Sequence, residues 1–403
     1  MPSRCARTLM TTSAGVLAGG TAMVATALPV QASSSSAAHI VVRPGESIQH
    51  AVDGAHAGDT IRLLPGVYRG GILVRVSGLT IRGAGAATVI APAATSATAT
   101  GSAQGAGVAE PVGADCSAPG NGICVLGTAG HPVTDVRIES LTVSDFPQNG
   151  VSGSGTDRMT VRDVMVNGNG DEGISQEKST RGRLVGNRAV GNGQAGIFVT
   201  NMANGKGGAL DTEGTVIAGN RMSGNRFGAD LRRARNLLFE DNTVTENCSG
   251  IFVVGDDGVP RGGDLTVRDN RVSRNNEYCP PNGRLPYLQG IGIVLTGVEK
   301  TVLTGNLIEG NVGAAPMSGG VVLFRSYKGG PDTDNTVTGN TITGNKPANI
   351  ADRDGGPGNT FSDNSTAQDR RHGAGRDHQQ APRRRPARHV PHPSPADAAC
   401  RGR

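Results

Sequence analysis

The chain has 403 residues, with 39 Lys and Arg against 34 Asp and Glu, 62 Gly, no Trp and an aromatic share of only 3%. Nine Arg and three Asp lie in residues 367–403, and Arg4 and Arg7 lie near the start, so the stretch between holds 28 basic and 31 acidic residues. That near-neutral body excludes reading the high pI as a nucleic-acid surface, and the shortage of aromatics disfavours a broad aromatic platform for neutral polysaccharide.

Residues 1–32 read as a signal peptide: two Arg, a small-apolar stretch from Ala14 to Leu28, then Val30-Gln31-Ala32 as a cleavage point. The stretch is too interrupted for a transmembrane anchor, which takes about 20 apolar residues. Secretion is the expectation. Residues 33–366 are expected to form one domain. It opens with Ser47, placed to cap a short helix whose Ile48, Ala51, Val52 and Ala55 share one face. Alternating strands follow at 60–64, 72–76 and 79–82. Residues 91–121 are rich in Ala, Ser, Thr and Gly and read as a flexible insertion.

From about residue 122 a repeat takes over. An Asn recurs five residues after another Asn, as in Asn187/Asn192, Asn220/Asn225, Asn242/Asn247, Asn270/Asn275, Asn306/Asn311 and Asn340/Asn345. Most beats lead to a Gly followed by alternating apolar residues, and such starts fall at Gly122, Gly150, Gly173, Gly196, Gly228, Gly250, Gly290 and Gly320. A minimum period of 22–23 residues with variable insertions is the pattern of a solenoid whose coils each hold three short strands. Coils stack about 4.8 Å apart, so a buried turn Asn in left-handed geometry could hand amide hydrogen bonds from coil to coil.

Residues 367–403 hold five Pro and almost no large apolar residue, and are expected to be a disordered tail. Cys116, Cys124, Cys248 and Cys279 are an even set in an exported chain, and the expected pairs are Cys116–Cys124 and Cys248–Cys279. Their spacing does not suit zinc, and no His lies between His131 and the tail.

The opening PGESIQHAVDGAHAGDTIRLLPGVY and the Asn-spaced repeats resemble the right-handed parallel β-helix (pectin-lyase-like) superfamily, within it the NosD-like carbohydrate-binding and sugar-hydrolase type. The resemblance implies an all-β solenoid of about nine to eleven coils with the short helix as an N-terminal cap. It also implies a polysaccharide partner, most simply an acidic one, met by a monomer. If the protein is an enzyme, the resemblance implies lyase chemistry first and glycoside hydrolysis second; the alternative is a non-catalytic surface, scaffold or adhesin role. NGNGDEGISQEKS resembles the Asn-Gly-x-Glu stretch of alginate and chondroitin lyases, but Ser175 stands where that pattern has Arg. The signature runs of polygalacturonases, pectin methylesterases and mannuronan epimerases are missing.

In the superfamily the substrate lies on the outer face of the Gly-initiated strands. If Ile197, Val199, Ala229, Leu231, Ile251 and Val253 point inward, an outward column reads Ser152, Ser175, Phe198, Asp230, Phe252, Gly292, Val322. A second reads Glu177, Thr200, Arg232, Val254, Val294, Phe324. Asp230, Arg232, Lys206 and Asp256 are thus the candidate catalytic residues, and Phe198, Phe252, Glu177, Arg233 and Arg261 the candidate substrate-binding ones. Asp171, Glu172, Lys178, Asp211 and Asp257 join them as loop charges. Lys206, Arg232 or Arg233 would serve a lyase as base, whereas Asp230 with Asp256 or Asp257 would serve a hydrolase as a carboxylate pair. The plainer reading buries the Phe rings under the long loops and leaves Asp230–Arg232 as a surface ion pair. No metal ligands stand out, although a carboxylate-held calcium is compatible with lyase chemistry.

Overall fold

In the computed structural model, residues 37–93, 115–128, 130–202, 207–283 and 285–366 are described, all within the unit Ala37–Arg403. The expected signal peptide at 1–32, residues 94–114 of the expected insertion, Lys206 and the expected tail at 367–403 lie outside the described residues. The described chain winds into a parallel β-solenoid whose three faces are sheets of 12, 11 and 10 strands. Every neighbour in these sheets comes from the next coil, and all pairings are parallel.

The interior is built from aligned columns of apolar side chains. One runs Ile61, Ile81, Ile138, Val161, Leu184, Ile217, Phe239, Val267, Leu303 and Val337, all fully buried. Because side chains alternate along a strand, one inward residue in each short strand is enough to continue the column. The helix Ile48–Asp53 is capped by the Ser47 side chain, which accepts from the His50 N–H, and buries Ile48 and Val52. Gln49 on its other side donates to the Leu73 carbonyl and accepts from the Leu73 N–H. A side-chain amide thereby pairs with Ile72–Val74, the terminal strand of the 10-stranded sheet. Such an edge would otherwise invite pairing with another chain.

The Asn beat forms two hydrogen-bonded ladders, one from Asn187 to Asn364 and one from Asn169 to Asn349. In each, an Asn Nδ2 donates to the Oδ1 of the Asn one coil on, as from Asn220 to Asn242 at 2.9 Å and from Asn225 to Asn247 at 3.0 Å. The backbone N–H of the same Asn shares that acceptor. The remaining Nδ2 proton goes to a strand carbonyl of the preceding coil, as from Asn220 to Leu184. One expectation is corrected here. The left-handed conformation belongs to the residue before each Asn: Gly219, Gly224, Asp241, Glu246, Asp269 and Arg274 all have φ between 51° and 68°, whereas no ladder Asn has positive φ. The preceding residue makes the turn, and the Asn fastens it.

The repeat-starting glycines answer to a different constraint. Gly196, Gly228, Gly250 and Gly292 stack in one column, and a Cβ on any of them would stand under 3 Å from the carbonyl oxygen of the next glycine in the column. Register shows that Gly292, not Gly290, follows Gly250, because Ile251 pairs with Ile293. Gly290 is a turn residue at φ 65°. The outward columns therefore shift by two residues beyond Phe252, which keeps their facing but puts Val294 where Gly292 was expected and Thr296 where Val294 was. Gly250→Ala should lower the melting temperature by the equivalent of about 1–3 kcal/mol of overpacking. Thermal unfolding followed by circular dichroism checks this, with Gly130→Ala as a control for loop effects, since that site has free space and no positive φ.

Both disulfides are present, Cys116–Cys124 and Cys248–Cys279, with Cα separations of 5.5 and 5.8 Å. The first ties residues 115–121 to the outer face of the 10-stranded sheet. The second ties the loop 276–289 to the start of the strand Ser249–Val254. Among the described residues, no helix is long and apolar enough to cross a membrane.

Candidate functional site

Insertions between coils gather on the outer face of the 10-stranded sheet and wall a cleft of about 350 Å³, within the range of small-molecule sites. Its floor comes from the strands Val151–Ser154, Ile174–Glu177, Ala195–Thr200, Phe227–Arg232 and Ser249–Val254. Inward neighbours Ile197, Val199, Ala229, Leu231, Ile251 and Val253 sit in the main core, so Phe198, Asp230 and Arg232 face out as their alternation requires. The walls include Asn282, Leu285, Met317, Tyr327 and Lys328.

Asp230 and Arg232 form an ion pair on one strand, at 3.0 Å from Nη2 to Oδ2. Asp230 is only 4% exposed, and its Oδ1 has no hydrogen-bond partner; Arg232 Nε is likewise buried and unpartnered. Two coils earlier, Glu172 accepts the Ala195 N–H through Oε2 at 2.6 Å and keeps part of its surface open to the cleft. Burial, followed by the negative charges of Asp171 and Asp230, pushes the Glu172 carboxyl well above the usual range. Burial also raises Asp230 against the opposing pull of Arg232, with Asp256 adding to the rise. The Asp230 charge in turn raises Arg232. Glu172, Asp230 and Arg232 are therefore one electrostatic group. In it, a carboxyl raised by burial and an ion-paired carboxylate line one cleft, two coils apart.

Asp256 lines the cleft one coil beyond Arg232. It is held by Arg233, 2.5 Å from Nη2 to Oδ2, and by the Ser326 hydroxyl at 3.1 Å. Glu177 lines the cleft as well. Three expected residues are placed otherwise. Phe252 is only 2% exposed and packs edge-on against Phe227 at 5.1 Å, within an apolar cluster with Cys248, Leu288, Val294 and Met317. It supports the floor and offers no face to a sugar. Phe198 is the partly exposed ring of the column. Arg233 is spent on Asp256 and does not line the cleft. Arg261 lies in a separate groove, bonded to the Pro331 carbonyl, the Thr333 hydroxyl and Glu299. Of the four candidate catalytic residues, Asp230, Arg232 and Asp256 come together, and Lys206 lies outside the described residues. Among the described residues, no three His, Cys, Asp or Glu side chains are grouped to hold a metal ion, so calcium enters no step below.

The sequence reading undervalued two residues. Glu172 looked like one loop charge among several, because its environment depends on Asp171, Ala195 and Asp230 from different coils. Arg226, directly after the ladder residue Asn225, received no role; it is buried in the cleft wall. Its position two residues before Gly228 could have placed it at the end of the substrate-facing strand.

Comparison with curated proteins yields no sequence match. Solved structures with a similar course include the mannuronan C-5 epimerase A-module of Azotobacter vinelandii, at 18% identity over 79% of this chain and 90% of that one, TM-score 0.48. An alginate lyase from a Paenibacillus species matches at 15% identity over 82% and 99% of the two chains, TM-score 0.42. A DFA-IIIase from Arthrobacter chlorophenolicus matches at 13% over 81% and 98%, TM-score 0.47. At these identities the likeness concerns the course of the chain alone. The family profile described as "right handed beta helix region" matches residues 67–258 and 203–327, in agreement with the parallel coils and stacked ladders, and the chain belongs to that family.

Proposed function

We propose that this is a secreted β-helix protein that binds polysaccharide in the cleft and cleaves it by acid–base hydrolysis. The observation that carries the reading is the buried Asp230–Arg232 ion pair, with Asp230 Oδ1 and Arg232 Nε left without partners, in the cleft that half-buried Glu172 also lines. Glu172, whose carboxyl burial raises well above the usual range, donates a proton to the glycosidic oxygen, which leaves as a sugar hydroxyl. Asp230, paired with Arg232 at 3.0 Å, takes a proton from the water whose oxygen bonds to the anomeric carbon. Phe198 offers a ring to the apolar face of a sugar.

Hydrolysis is favoured over the elimination expected from the resemblance because a lyase needs a deprotonated base. Arg232 is raised by Asp230, and Tyr327 is raised by burial, so both hold their protons more firmly than usual. Charge narrows the substrate too. Asp115, Asp171, Glu177, Asp230 and Asp256 outnumber Arg226, Arg232 and Lys328 in the lining. A polymer anionic on every ring meets repulsion here, so acidic units spaced along the chain fit better. Disulfides at both ends of the cleft and the N-terminal sequence support export.

The test is incubation of the protein with a panel of plant, algal and bacterial polysaccharides, with and without calcium. Hydrolysis predicts new saturated reducing ends without ultraviolet absorbance from an unsaturated sugar. Absorbance growing with each cleavage would establish elimination instead, and binding without any cleavage would establish the non-catalytic role.

A further inference from the structure

Arg226 is a cation without a counter-charge at the wall of the cleft. It is 8% exposed, and its Nη1 donates to the Pro280 carbonyl at 2.9 Å. Its guanidinium carbon stands 5.8 Å from the Phe227 ring centroid. Nη2 is buried and has no hydrogen-bond partner. No carboxylate of the described residues pairs with it, and burial alone shifts its guanidinium, downward. An unpaired buried charge is costly, by several kcal/mol, and a fold keeps one only where something repays it.

Its surroundings show that the position is built. Pro280 belongs to the loop that Cys248–Cys279 ties to the sheet, and Cys279 pairs with Leu288 and Asn282 with Leu285 across that loop. The loop thus holds one amino group of the guanidinium and leaves the other free. Asn282, from the same loop, lines the cleft beside it. Along the rim, the Gln194 N–H donates to the Asp171 carbonyl and the Phe227 N–H to the Gln194 carbonyl, so Asp171 is two coils away from the segment that carries Arg226. Arg226 also precedes Asp230 by four residues on one extended segment, about 13 Å at the usual strand rise. An anion on Arg226 therefore belongs to a different part of the ligand from the bond at Asp230.

We infer that Arg226 forms an anion subsite, which takes a carboxylate or sulfate on a sugar unit beside the one cleaved. The inference rests on the glycan reading of the cleft and names its substrate class: a polysaccharide with acidic units. Asn282 is placed to add a hydrogen bond to the same unit. Arg226 binds and orients; it takes no part in proton transfer.

The experiment is titration calorimetry with three forms of one chondroitin tetrasaccharide: unsulfated, sulfated with its carboxyls reduced, and unsulfated with its carboxyls reduced. Wild type, Arg226→Met and Arg226→Lys are compared, and each is melted. At least one anionic form should bind wild type about tenfold or more tighter than the neutral form, and Arg226→Met should lose that difference, since a charged hydrogen bond is worth about 1.5–3 kcal/mol. Preference for the carboxylated or the sulfated form identifies the anion. Arg226→Met should melt no lower than wild type, because it removes an uncompensated charge. A lower melting temperature in Arg226→Met with equal loss for all three ligands would make Arg226 a structural prop and overturn the subsite. So would failure of both anionic forms to bind better than the neutral one. Cleavage of neutral glycan with no dependence on Arg226 would remove the subsite and leave hydrolysis standing. Arg226-dependent binding without cleavage of any polymer would do the reverse.

Discussion

Asn247→Leu should be among the most damaging single substitutions in the chain, with a loss of about 4 kcal/mol or more and a melting temperature lowered by many degrees. Asn247 is 0% exposed, and its Nδ2 donates to the Met222 and Thr245 carbonyls and to Asn275 Oδ1 at 2.9–3.1 Å. Its Oδ1 accepts both the backbone N–H and the Nδ2 of Asn225. A leucine of similar size would take away the acceptor of two Asn225 donors and the side-chain donor to the Met222 carbonyl, at about 1–3 kcal/mol for each buried group left unpaired. Asn275 Oδ1 would keep only the backbone N–H of residue 247. The loss would not stay local, because each Asn in the ladder orients the next. Denaturant unfolding measures it, with Val259→Ser, at a site 86% exposed, as the neutral comparison. Equal midpoints for Asn247→Leu and wild type would refute the fastening role of the ladder.

Glu172→Gln should act in the opposite sense on stability and remove activity. The carboxyl is raised in the fold, so the folded state holds its proton more tightly than the unfolded state does. Glu172 therefore contributes stability that is complete below the unfolded value of about 4.5. That contribution is lost as pH rises through the folded value. Gln mimics the neutral acid and cannot ionise. The variant should match wild type in stability at pH 4 and exceed it at pH 8. Its turnover should fall by about 10²–10⁴, the usual share of a general acid. Wild-type turnover should fall on the alkaline side as Glu172 loses its proton. Asp171→Asn should move that limb to lower pH, because the Asp171 charge is one cause of the shift. Melting curves and pH–rate profiles of the three proteins check these signs. An alkaline limb that stays in place in Asp171→Asn would remove Glu172 from the role of acid.

The coil is legible in the sequence because its determinants are local and repeated. The Asn five residues apart, the Gly before alternating apolar residues and the cysteine pairs all report contacts that recur or close over short distances. Where an insertion intervenes, the reading loses its register. Gly290 looked like the start of a coil, and only the pairing of Ile251 with Ile293 shows that Gly292 holds that place. The slip was two residues, so inward and outward faces survived it. Side-chain environments on the outer face were less accessible. Phe252 and Phe198 are equivalent in the repeat, but the loop 276–289 and Met317 cover the first and leave the second partly open. Glu172 gains its unusual proton affinity first from burial, then from the charges of its neighbour Asp171 and of Asp230 two coils away. Asp230 and Arg232 were identifiable because alternation alone puts them on one face, two residues apart.

The central claim is that the insertions wall a glycan site around Asp230, and the crystal structure of Glu172→Gln soaked with an oligosaccharide that wild type cleaves tests it most directly. Sugar density should lie over Phe198, with a glycosidic oxygen against residue 172 and hydroxyls within hydrogen-bond distance of Asp230 Oδ1 and Arg232 Nε. Density confined to the separate groove around Arg261 and Glu299, with the Asp230 cleft filled only by solvent, would contradict it.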